Sequence, residues 1–124
     1  MKALITGASS GIGRDIAIYL SKKGYDLVIV ARRVELLEEL KKELKTNVEI
    51  VNLDISSVEN CKKLFEEYKD VDVLVNNAGF GLFGHFSELD LEKELSMINT
   101  NIIAVHILTK LYLQEMKKKK DYFP

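Results

Sequence analysis

Ala3-Leu4-Ile5-Thr6-Gly7-Ala8-Ser9-Ser10-Gly11-Ile12-Gly13 opens with three apolar residues and closes on a loop rich in glycine. The apolar run is short and stops at Thr6-Gly7, as a buried strand would. Beyond the loop, Ile12, Ile16, Ala17 and Leu20 recur at helical spacing, and Gly24 is placed to end that helix. A tight strand-to-helix turn needs a residue free to take positive φ. A backbone that approaches a pyrophosphate closely carries no Cβ, and a helix packed hard on its strand prefers glycine at the contact. Gly7, Gly11 and Gly13 meet those needs, and the loop amides with the positive end of the helix dipole then face an anion. The spacing is G-x-x-x-G-x-G, not the commoner G-x-G-x-x-G, so in isolation the loop also fits an ordinary glycine-rich turn. Its place in the first strand-to-helix crossover favours the phosphate reading.

The rest of the chain repeats the alternation. Leu27 to Val30 reads as a second buried strand, and Val34, Leu37, Leu40 and Leu44 as one stripe of a second helix. Val48, Ile50, Val51 and Leu53 give a third strand that stops at Asp54. Ser56-x-x-Glu59 has the form of a capping box, opening a helix with Val58, Cys61, Leu64, Phe65 and Tyr68 on its apolar side. A fourth strand, Val71 to Val75, is closed by Asn76-Asn77-Ala78-Gly79. After a loop, a long helix is expected from Asp90 to about Lys118. Strands alternating with helices imply right-handed crossovers, and strands without polar alternation suit a sheet covered on both faces. The expected fold class is α/β: a Rossmann-like, doubly wound parallel sheet of about four strands in the order 3-2-1-4.

At 124 residues the chain is expected to form one domain, residues 1–124. With 47% hydrophobic residues and a net charge of −1, neither disorder nor a nucleic-acid or membrane partner is expected. The single cysteine, Cys61, allows no internal disulfide and fits a reducing compartment. Met1-Lys2 leads straight into a strand, so no leader is expected, and no apolar run reaches membrane-spanning length. The expected location is the cytosol. His85 and His106 lack neighbours at metal-ligand spacing, so no metal site is expected.

Taken together, Thr6-Gly7-x-x-x-Gly11-x-Gly13, Asp54 after the third strand, and Asn76-Asn77-Ala78-Gly79 after the fourth resemble the short-chain dehydrogenases/reductases, over essentially the whole chain. The resemblance implies an oxidoreductase that transfers hydride between a nicotinamide dinucleotide and a small carbonyl or alcohol substrate. It implies cofactor contacts from Thr6, Gly7, Ser9, Ser10, Gly11, Ile12 and Gly13, from Asp54 and Ile55 beside the adenine, and from Asn77, Ala78 and Gly79 along the cleft. Asp54 also suits a cap for the turn that follows it. The family asparagine of the long helix corresponds in position to Asn101, the expected catalytic residue, with Asn99 as rival. Either residue also fits a role satisfying local backbone. In the family this helix contributes to a subunit interface, so a homodimer or larger oligomer is expected.

An NAD site of this type usually carries an acid after the second strand to bond the ribose 2′-hydroxyl. Here Ala31-Arg32-Arg33 stands in that place. Guanidinium groups pair with a 2′-phosphate and stack on adenine, so NADP(H) is the expected cofactor, with a solvated arginine pair as the alternative. The family serine and Tyr-x-x-x-Lys have no counterpart after the long helix, where the sequence reads Lys117-Lys118-Lys119-Lys120-Asp121-Tyr122-Phe123-Pro124. Tyr19-x-x-x-Lys23 has the spacing but lies on the first helix, too far from the nicotinamide end of a cofactor bound at that helix's N-terminus. The chain alone is therefore expected to be catalytically incompetent, and a non-catalytic nucleotide-binding module or split-protein half is the alternative. Phe80, Leu82, Phe83 and Phe86 fit either a substrate mouth or core, His85 a plain loop residue or a substrate contact, and Lys117–Lys120 a solvated helix end.

Overall fold

The computed structural model describes residues 1–82 and 84–119; Phe83 and the tail from Lys120, both named above, lie outside the described residues. Strand β1 (Lys2–Thr6) leads to α1 (Gly11–Lys22), β2 (Asp26–Ala31) to α2 (Val34–Glu43), β3 (Val48–Asn52) to α3 (Val58–Glu67), and β4 (Val73–Val75) to a loop with one 3-10 turn, Phe86–Glu88. A long helical rod follows as α4 (Leu91–Ile98), a π-helical turn (Asn99–Ile103) and α5 (Ala104–Lys119). All strand pairings are parallel, and the order is β3-β2-β1-β4.

The apolar strands bury both faces. Leu4, Val28, Val30 and Val51 pack with Cys61 and Leu64 of α3 and Ala104, Leu108 and Tyr112 of α5. Ala3, Ile5, Leu27 and Ile29 pack with Ala17 of α1 and Leu37 and Leu40 of α2. Two helices on each face make the sheet doubly wound, and fully burying such a side chain is worth roughly 1.5–3 kcal/mol. The chain runs β1 to β2 to β3 in one direction, then returns to lay β4 on the other side of β1. That reversal opens a crevice at the carboxyl ends of β1 and β4, the usual ligand position in open α/β sheets.

Gly24 ends α1 as expected. At φ +92° it lets Tyr25 N–H bond Leu20 O at 3.1 Å while its own N–H bonds Ser21 O at 2.9 Å. Four local expectations need correction. Ile12, expected on the buried stripe of α1, is 71% exposed, because the first turn of the helix overhangs the crevice. The cap of α3 is Ser57, not Ser56: its hydroxyl accepts from Asn60 N–H at 3.3 Å, while Ser56 N–H donates to Asp54 Oδ1 at 3.0 Å in the preceding turn. Val71 is buried but precedes β4, whose ladder with β1 starts at Val73. The long helix starts with Asp90 as its cap, accepting from Lys93 N–H at 3.2 Å, but it is broken in register by the π turn.

Candidate functional site

A cleft of about 340 Å³ lies at the carboxyl ends of all four strands. Thr6, Gly7, Ser9 and Ser10 line it from β1, Arg32 and Arg33 from β2, Asp54 and Ile55 from β3, and Asn77, Ala78 and Gly79 from β4. Eleven residues scattered through the sequence, all expected to contact a cofactor, thus line one cavity. Gly11, Ile12 and Gly13 do not line it. Gly11 and Ile12 are exposed at the start of α1, and Gly13 is buried beneath the loop.

Thr6 fastens the cleft together. Its side chain is buried, accepts from the N–H groups of Asn77 and Ala78 at 3.1 Å each, and donates to Val75 O at 3.4 Å. Asn77 Nδ2 returns a bond to Gly7 O at 3.0 Å. The approach is so close that a Cβ on Gly7 would lie 2.8 Å from Ala78 Cα, and one on Gly13 would collide with Gly7 O and the Asn77 amide. Gly7 takes φ +65°, as the turn requires. Glycine at these two sites therefore lets β1, its loop and the β4 end meet backbone to backbone.

The helix ends at the cleft differ from those elsewhere. Ser57 and Asp90 cap α3 and α4 with their side chains, but Ser10 and Arg33 give α1 and α2 no side-chain cap. No acid occupies the first turn of α1. Its leading amides and the positive end of its dipole are left to a partner from outside, which suits an anion. Arg32 and Arg33 are exposed beside it, and among the described residues neither guanidinium has an ion-pair partner.

Asp54 performs the capping role weighed from sequence, through Ser56, and also lines the cleft. Nearby, burial and then the Asp54 charge push the Cys61 thiol up to about 11, and Sγ donates to Ile55 O at 3.3 Å. Asn101 faces the loop after β4: its Oδ1 accepts from Phe80 N–H at 3.0 Å and its Nδ2 donates to Phe80 O at 2.8 Å. Asn101 thus bonds the backbone of Phe80, 21 residues away, in a loop that borders the cleft, a tertiary contact and not the local one weighed from sequence.

Val30, Ala31, Leu53, Phe80 and Thr100 also line the cleft. Phe80 had been weighed for a substrate mouth, whereas Phe86 is 83% exposed. Thr100 escaped sequence reasoning because a regular helix gives no reason to single it out from Asn99 and Asn101. Tyr19 is 59% exposed on α1, with Lys23 Nζ 5.4 Å from its ring centroid, which places that pair on the helix surface. His85 is exposed in the loop, and His106 lies on the outer side of α5.

The family model described as short chain dehydrogenase matches residues 1–121. The chain belongs to the short-chain dehydrogenase family. It is 36% identical over 124 residues to the uncharacterised oxidoreductase YvaG of Bacillus subtilis, covering 96% of this chain and 47% of that protein. Similarity to the NADP-dependent 3-hydroxy acid dehydrogenase of Schizosaccharomyces pombe is also 36%, over 120 residues, covering 89% and 46%. Among solved structures, the alcohol dehydrogenase of the archaeon Thermococcus sibiricus complexed with 5-hydroxy-NADP superposes with a TM-score of 0.80 at 41% identity, covering 94% of this chain and 53% of that one. A metagenomic short-chain oxidoreductase in complex with NADP gives 0.86 at 30%, covering 96% and 57%. This short-chain dehydrogenase chain thus spans about half the length of the relatives it matches. Among its described residues no helix is long and apolar enough to cross a membrane.

Proposed function

We propose that this chain is the NADP(H)-holding part of an oxidoreductase that interconverts carbonyls and alcohols. The observation that carries the cofactor choice is the pair Arg32-Arg33 on the cleft wall, without an ion-pair partner among the described residues, where an NAD site would carry an acid. The residues present fit the group. The uncapped start of α1 and the Ser9-Ser10 loop receive the pyrophosphate, the arginines take the 2′-phosphate, and Asp54 accepts from the adenine amino group. Asn77, Ala78 and Gly79 flank the ribose path. When bound, the dinucleotide supplies or receives the hydride; the chain's own residues bind and orient it. Two relatives whose names or bound ligands specify NADP support the reading.

Hydrogen bonds to charged groups are worth roughly 1.5–3 kcal/mol each, so even one favours NADP over NAD by about 10- to 100-fold. Titration calorimetry tests this: NADP⁺ is expected to bind more tightly than NAD⁺, and equal affinities would overturn the proposal. Asn101 is proposed to act at the catalytic end by holding the Phe80 loop. The 124 residues alone are proposed to give no carbonyl turnover with NADPH, because general acid catalysis, typically worth about 100- to 10,000-fold, has no tyrosine lining the cleft among the described residues. Turnover that vanished in Tyr19→Phe would contradict this.

We also propose a cytosolic protein that self-associates through the rod. Leu91, Leu95, Ile98, Ile102 and Leu113 are between 41% and 63% exposed along it, and exposed apolar side chains grouped on one element suit a contact with another chain.

A further inference from the structure

The turn that carries Arg32 and Arg33 has no internal support from its own side chains. Arg33 is the N-cap of α2 at φ −98°, ψ 94°, and contributes no side-chain cap bond. Its neighbour in the sheet does the holding. Asn52 ends β3 in register with Ala31, the last residue of β2. Turned so that its amide nitrogen, not its oxygen, faces the two carbonyls beside it, Asn52 donates to Arg32 O at 2.8 Å and to Ala31 O at 3.2 Å. The opposite orientation would set an acceptor against two acceptors, so the donating one is the physical one. One amide thus spans the point where β2 becomes the arginine turn.

We infer that Asn52 is a positioning residue for 2′-phosphate selection: it fixes the Ala31–Arg32 backbone so that both guanidiniums stay aimed at the nucleotide. This rests on the NADP(H) reading. A bidentate guanidinium–phosphate contact gains from a backbone held in place before the ligand arrives, because less freedom is lost on binding. Asn52 itself does not line the cleft, so it acts on the ligand only through the turn.

The test compares 2′,5′-ADP with 5′-AMP, which differ only in the 2′-phosphate, by calorimetry on the whole chain, in the unaltered protein and in Asn52→Ala and Asn52→Ser, each checked for an intact thermal transition. Two ordinary hydrogen bonds lost from the turn should weaken 2′,5′-ADP roughly three- to tenfold. Binding of 5′-AMP, which lacks the 2′-phosphate that the arginines would take, should stay within about twofold. A merely structural role would weaken both ligands together, and an unchanged ratio of the two affinities in both variants overturns the inference. The two proposals fail separately: no preference for 2′,5′-ADP in the unaltered chain refutes the NADP(H) reading, whereas a preference that survives both variants refutes only the role of Asn52.

Discussion

Replacing Thr6 with valine keeps the side chain's shape and removes the one oxygen that joins β1 to the segment after β4. In the native chain that oxygen accepts from Asn77 and Ala78 N–H at 3.1 Å each and donates to Val75 O at 3.4 Å. Thr6 is only 1% exposed, so water cannot take over all three positions. A buried amide left without an acceptor costs about 1–3 kcal/mol. Two of them, in surroundings partly open to the cleft, place Thr6→Val at about 2–4 kcal/mol, with the long bond to Val75 adding little. Against a total stability of about 5–15 kcal/mol for a domain, that is a large fraction. Urea unfolding followed by circular dichroism is the assay. With a slope of about 2 kcal/mol per molar, the midpoint should fall by about 1–2 M at unchanged slope. Thr6→Ser keeps the hydroxyl and loses one methyl, so it should cost only about 1 kcal/mol. A valine variant within about 0.5 kcal/mol of the unaltered chain, or a serine variant as unstable as valine, would refute the reasoning.

Gly13→Ala puts a methyl against Gly7 O and the Asn77 amide, so overpacking should cost about 1–3 kcal/mol in thermal denaturation; an unchanged melting temperature would count against the close packing. Cys61, raised by burial from 9.0 to about 11, should react with a thiol reagent at pH 8 only as fast as the chain opens. Because its neutral form is the one favoured by the fold, its stabilising contribution is complete below pH 9.0 and declines as pH rises toward about 11; rapid labelling of the native chain at pH 8 would contradict the burial. Light scattering coupled to gel filtration should find a dimer or larger assembly that Ile102→Lys weakens, while a monomer at every micromolar concentration would remove the case for association through the rod.

The strands were legible because each is a short, largely apolar run followed by a helical pattern, and a parallel sheet buried on both faces leaves few arrangements. Local punctuation was less legible. Ser56 and Ser57 are chemically equal as caps, and only the fold of the Asp54 turn, which takes Ser56 N–H, decides between them. The π turn at Asn99–Ile103 has no signature in apolar periodicity; it comes with a tertiary contact, Asn101 holding Phe80, that no window along the chain contains. Ile12 counted as apolar and therefore as core, but its place at the overhanging start of α1 sets its exposure. Around the cleft, Gly7 and Gly13 were readable because close backbone approach excludes a Cβ, whereas the asparagines were read from the family resemblance. Thr100 and Asn52 sit at positions that topology alone brings to the cleft and to the arginine turn.

The central claim is that a dinucleotide lies across the carboxyl ends of the strands with its 2′-phosphate on the arginine turn. At 124 residues the chain suits amide chemical-shift mapping during titration with NADP⁺. The account predicts that the shifted amides are those of Gly7 to Gly13, Arg32 to Val34, Asp54, Ile55 and Asn77 to Gly79. Amides of Lys62, Phe65 and Lys110, in the groove between α3 and α5, should stay still. Shifts centred on that groove, or none at saturating NADP⁺, would contradict it.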